Sequence, residues 1–157
     1  MDAEELKKRT KKFGLNTIKL VESLPSTQAG RVIGNQLLRS ALSVGANYRA
    51  ACRGRSKADF ISKVGITIEE ADESQHWLEM LAEAGIVSPD KLKPLMQEAN
   101  ELVAILTASA KTARESIFSI IGGKMGVRKR AKPACEPPYP TFLRSYRENL
   151  NRRTQDR

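Results

Sequence analysis

Four carboxylates within five residues, Glu69, Glu70, Asp72 and Glu73, form the densest group in the chain that could do chemistry. Such a cluster could serve as paired acid and base, or hold two metals on bundle helices if two Glu-x-x-His motifs from separate helices completed it. Only one such motif is present, Glu73-Ser74-Gln75-His76, and His76 is the only histidine. That inventory removes histidine-dependent nucleophiles and most zinc sites. His76, beside Trp77, reads more simply as a satisfied side chain on a helix face. Cys52 and Cys135 stand far apart with no CxxC spacing, and they read as free thiols of a reducing compartment. The expectation is a protein that is not an enzyme, with no catalytic residue, no metal and no cofactor.

The second chemistry on offer is the recognition of anions. The chain has 157 residues, one ordinary domain's worth, and a net charge of +9 that is spread unevenly. Residues 119–157 hold ten Lys or Arg against three acids, whereas residues 1–118 hold seventeen against fifteen. Lys7, Lys8, Arg9, Lys11 and Lys12 place five cations in six residues. Arg39, Arg49 and Arg53 share a sector of roughly 80° if their segment is a helix, and Arg55 and Lys57 continue that basic turn. Arg128, Lys129 and Arg130 belong to the segment GGKMGVRKRAKPACEPPYP, whose glycines, prolines and cations lack any periodicity and predict disorder or loose helix in isolation. Cations in these numbers can settle on a polyanion such as RNA or DNA, with salt-dependent affinity and little sequence preference, because no groove-reading motif accompanies them. The blander reading is a solvated face, paired on the first helix with Asp2, Glu4 and Glu5.

The elements that position these groups are four helices. Leu6, Phe13, Ile18, Leu20, Val21 and Leu24 recur at helical spacing from about Ala3 until Pro25. Ser26 or Thr27 can cap a second helix carrying Val32, Ile33, Leu37, Leu38, Leu42 and Val44, with Gly54 as its left-handed stop. Ser56 and Asp59 open a third, with Phe60, Ile61, Val64, Ile68, Ala71, Trp77, Leu78 and Leu81, closed at Gly85 with Ile86 folding back. Ser88, Pro89 and Asp90 start a fourth that runs to about Phe118. Short connections between long helices predict an all-α, up-down four-helix bundle over residues 1–118, with residues 119–157 as a basic tail. At about 1.5 Å per residue the middle helices are rods of about 40 Å, suited to lateral packing between subunits.

One stripe of the second helix is polar. Gln36, Arg39, Ser40, Ser43 and Asn47 follow one another at helical steps, and an antiparallel hairpin turning about positions 54 and 55 sets Arg39 against Glu70 and Gln36 against Glu73. A partly buried ion pair of Arg39 with Glu69 or Glu70 is the expected use of this seam. No apolar run approaches the roughly 18 residues of a membrane span, and the N-terminal MDAEELKKRTKK has no apolar signal stretch, so a cytoplasmic protein without membrane contact is expected.

The stretch LLRSALSVGANYRAACRGRSKADFISKVGITIEEADESQHWLEMLAEAGIV carries Arg39-Ser40-Ala41, Ser43-Val44-Gly45-Ala46-Asn47, Arg53, Ser56, Asp59-Phe60 and Glu70-Ala71-Asp72-Glu73-Ser74 leading to Trp77-Leu78. In these residues the chain resembles the four-helix-bundle proteins encoded in intervening sequences of bacterial 23S ribosomal RNA genes. The likeness covers about residues 5–118 and does not reach the basic tail. It implies a left-handed bundle assembled as a homopentamer, a positive surface and no catalysis. Relatives in diversity-generating retroelements act as accessory variability proteins with a reverse transcriptase and nucleic acid, so the resemblance implies such partners beside the chain itself. The alternative is a protein-binding or self-assembling adaptor that uses the apolar, Trp-bearing surface and touches no nucleic acid.

Overall fold

The structure, a computed structural model, describes the backbone of residues 1–125 and side chains as far as residue 116. Arg128, Lys129 and Arg130 lie outside the described residues, as does most of the expected tail. Helix α1 spans Ala3–Glu22, α2 Gln28–Ala51, α3 Lys57–Glu83 and α4 Pro89–Met125. Among the described residues there is no strand.

Each start has a chemical cause. Asp2 accepts from the Glu5 amide while the Glu5 carboxylate accepts from the Asp2 amide, both at 2.8 Å, so two orphan donors of α1 are satisfied reciprocally. Thr27 caps α2 by accepting from the Gly30 amide at 3.1 Å, and Ser56 caps α3 by accepting from the Asp59 amide at 3.1 Å. The Asp59 carboxylate turns back to the Arg55 amide at 3.0 Å.

Helix α1 stops at Glu22, ahead of Pro25 as expected, and of the three later stops one is as expected and two are corrected. Gly85 takes a left-handed φ of 66° after α3, and the amides of Ile86 and Val87 both donate to the Leu81 carbonyl, at 3.1 and 3.2 Å. Ile86 folds onto the core as its apolar contact. Gly54 does not close α2 in this way, since among the described residues only Gly85 has a positive φ. Helix α2 ends at Ala51, and Gly54 serves a close approach: a Cβ there would stand 2.9 Å from the Ala51 carbonyl oxygen and 3.2 Å from the Phe60 nitrogen. Helix α4 continues past Phe118 to Met125. No proline intervenes, and a glycine inside a helix costs only about 1 kcal/mol, too little to end one.

The helices pack in chain order, α1 on α2, α2 on α3 and α3 on α4, with α1 touching α4 only lightly and the diagonal pairs apart. This is the arrangement of a four-helix bundle. Phe13, Leu37, Val44, Val64, Leu78, Leu81, Leu92, Leu102 and Leu106 fill its centre with essentially no exposure. Truncating one of these leucines to alanine would cost about 2–5 kcal/mol. Two residues expected on the apolar side lie outside: Val32 is 55% and Leu42 47% exposed. Buried hydroxyls are satisfied locally, Thr17 donating to the Phe13 carbonyl at 3.0 Å and Thr67 to that of Lys63 at 2.8 Å.

The contact between α2 and α3 corrects the polar seam. Ser74 donates to Ser40 at 2.9 Å in a buried pair, and Arg39 binds Glu73, not Glu69 or Glu70, at 2.7 Å. Side chains on a helix lean toward its own N-terminus. A residue of α2 therefore leans away from the connection and its α3 partner leans back toward it, so Arg39 meets a residue about one turn beyond the one level with it. Arg39 is also 62% exposed at its side chain, so the pair lies at the surface and contributes little, about 0–1 kcal/mol.

Candidate functional site

The acidic cluster of α3 does not converge. Glu69 and Asp72 are exposed on the outer face, whereas Glu73 turns to α2, where it accepts from Arg39 and, at 3.1 Å, from the Trp77 indole nitrogen. Glu70 points into the seam, and its Oε2 is buried with no hydrogen-bond partner. Burial, reinforced by the nearby Glu73 charge, pushes its carboxyl above the usual range. Among the described residues no three His, Cys, Asp or Glu side chains stand close enough to share a metal. The His76 ring meets Trp77 edge-on with centroids 5.0 Å apart.

The basic residues do converge. A groove of about 640 Å³ runs between α1 and α2, with Lys7, Lys8 and Lys11 on one bank and Arg49 and Arg53 on the other. Its floor is Thr10, Gly14, Ala41, Gly45 and Ala46, and Leu15 and Leu42 stand at one end. Small residues there let the two backbones come together: a Cβ on Gly45 would meet the Thr10 carbonyl at 3.7 Å, and one on Gly14 would press Leu42 at 3.2 Å. The one acid in the lining, Glu4, is held by Lys7 at 2.6 Å, and that hydrogen bond raises the Lys7 pKa. Lys8, Lys11, Arg49 and Arg53 form no ion pair with any described carboxylate.

The other expected contact residues are placed elsewhere. Arg9 leaves the basic run and crosses to α4, where it donates to both Glu98 oxygens at 2.6 and 2.9 Å and also to Glu101. These bonds hold Arg9 firmly charged and draw the Glu101 carboxyl below its ordinary range, Arg9 acting first and Gln97 second. The light contact between α1 and α4 explains the diversion, because carboxylates on α4 complete a seam that apolar packing leaves thin. Lys12 faces a smaller cavity of about 430 Å³ on that side, with Phe13, Asn16, Pro94 and Leu95. Lys57 donates to Ser116 at 2.9 Å, and Arg55 sits exposed in the connection between α2 and α3. Sequence reasoning missed Arg31, which continues the exposed line Asn35, Arg39, Leu42, Ala46, Arg49 and Arg53 along the outer face of α2. The steps of three and four residues were the available signal.

A family signature described as 23S rRNA-intervening sequence protein matches residues 4–108. The chain belongs to this family. Its fold is similar to the crystal structure of a protein of unknown function from the S23 ribosomal protein family of Bacteroides thetaiotaomicron. The two share 31% identity at a TM-score of 0.66, over 71% of this chain and 99% of that one. No match is found among curated proteins. The solved relative shares the helical fold, and neither likeness assigns a chemistry. Among the described residues no helix is long and apolar enough to cross a membrane.

Proposed function

We propose that this member of the 23S rRNA-intervening sequence family is a non-enzymatic, oligomeric scaffold that holds RNA or DNA by its phosphates, with little sequence specificity. The observation that carries the reading is the groove between α1 and α2, where Lys8, Lys11, Arg49 and Arg53 line one space without an ion pair to any described carboxylate, the one acid in the lining, Glu4, being held by Lys7. Each phosphate they meet releases counterions, so affinity falls steeply with salt. Fluorescence anisotropy with labelled RNA at several ionic strengths tests this. About four contacts give a log–log slope near −3, and absence of binding at about 50 mM salt rejects the reading.

Self-association is the second half of the proposal, in the homopentamer that the family resemblance implies. It is supported by the outer face of α3, where Ile66 and Met80 stand exposed among Glu69, Asp72 and Glu83, opposite in sign to Arg31 and Arg39 on α2. Light scattering reads the subunit number, and a monomer at low salt removes this half. A reverse transcriptase partner is tested by copurification that survives nuclease. That same α3 face favours the adaptor reading if binding to protein persists while RNA binding is absent.

A further inference from the structure

The groove is not uniformly basic, and its two ends ask for different chemistry. Lys7, Lys8, Lys11, Arg49 and Arg53 gather toward the start of α1 and the end of α2. Leu15, one helical turn beyond Lys11, and Leu42, two turns before Arg49, form the opposite end and are 49% and 47% exposed. At 1.5 Å per residue the apolar end lies about 6–10 Å along the groove from the cations. That is the reach of one phosphate, sugar and base.

We infer that this groove takes an unpaired strand of nucleic acid, with phosphates on Lys8, Lys11, Arg49 and Arg53 and a base laid on Leu15 and Leu42 above the Gly14, Gly45 and Ala46 floor. This deepens the proposed function and rests on it. A duplex presents its phosphates outward and keeps its base faces stacked, so it could use the cations and would leave the leucines bare. An unpaired strand uses both ends. No aromatic side chain lines the groove, so the apolar contact is non-planar and tolerates any base. An acidic amphipathic helix fits less well, because it needs a row of apolar contacts over several turns and the groove offers a single pair of leucines.

The test uses the full chain with a labelled single-stranded RNA and the duplex of the same length at equal ionic strength. The single strand should bind more tightly by about threefold or more, since a base on two leucines gains less than one stacked on an aromatic ring. Leu15→Ser with Leu42→Ser should abolish that preference while leaving duplex affinity in place and lowering the melting temperature by only a few degrees, since both side chains are already half in water. Arg49→Gln with Arg53→Gln should weaken both forms together. Equal affinity for the two forms, an unchanged ratio in the leucine variant, or equally potent competition by an acidic peptide of matched charge would overturn the single-strand assignment. If neither form binds at about 50 mM salt, the phosphate-binding reading itself fails, and the assignment with it.

Discussion

The outer faces of α2 and α3 are built alike and charged oppositely. Along α2 and just beyond it, Arg31, Asn35, Arg39, Leu42, Ala46, Arg49 and Arg53 form an exposed line with four cations and no acid. Along α3, Ser62, Ile66, Glu69, Asp72, His76, Met80 and Glu83 form the equivalent line with three acids and no cation. Both helices bury one stripe in the same core, so the fold does not dictate this difference. The charge is polarised around the bundle, with α1 and α2 basic and α3 acidic, and such a field turns an approaching polyanion toward one side before contact. The same charges spread at random over the bundle would not orient it.

The largest expected effect breaks this comparison outright. Arg49→Glu with Arg53→Glu should lower RNA affinity on the order of 100-fold at low salt and flatten the salt slope by about 2, read by anisotropy. Glu69→Lys with Asp72→Lys adds as much positive charge on the other face, yet, compared at equal subunit number by light scattering, should change affinity by no more than about threefold if contact is confined to the groove. Equal responses would mean that only net charge matters.

Next in size is Arg9, which belongs to the basic run by sequence and to the α4 seam by structure. Arg9→Ala should lower stability by about 1 kcal/mol, a fall of several degrees in melting temperature, because it leaves Glu98 and Glu101, neighbours one turn apart on α4, without the cation that holds both at a thin contact. RNA affinity should fall less than twofold. Lys8→Ala should do the opposite, leaving the melt unchanged and weakening RNA about threefold.

These residues also mark how far the sequence can be read. Helix starts were legible because caps are local: Thr27 and Ser56 act on amides three residues away. The stop at Gly85 was legible for the same reason, with Ile86 adjacent to fold back. Gly54 misled because glycine serves close approach as readily as a left-handed turn, and only the Ala51 carbonyl and Phe60 amide beside it decide which. The destination of Arg9 depends on Glu98 and Glu101, about ninety residues away, and nothing in a run of cations says which one will be diverted. Leu42 read as core by its spacing from Leu38. The groove floor, whose small residues bring α1 close to α2, leaves it at the rim instead.

The smallest predicted effect concerns the boundary between the two faces. Glu70 is on the acidic helix yet turns into the seam beside α2, where its Oε2 has no donor and burial favours the protonated form. A carboxyl whose folded pKa lies above its unfolded value lowers stability at pH above the folded value. That loss disappears as pH falls through the folded pKa toward the unfolded one, near 4.5. Glu70→Gln, which stays neutral and brings its own donor, should raise the melting temperature at pH 7 by about 2 °C, and the advantage should vanish below about pH 4. Asp59 runs the other way. Its carboxylate is held low by Lys63 first and by the Arg55 amide second, so its contribution is present above the ordinary carboxylate range and lost on acidification. Melting Glu70→Gln and Asp59→Asn across this range separates the two signs. If Glu70→Gln were neutral at pH 7, the seam would be wet, and the acidic face would extend inward to the contact with α2 instead of ending at Glu69 and Asp72.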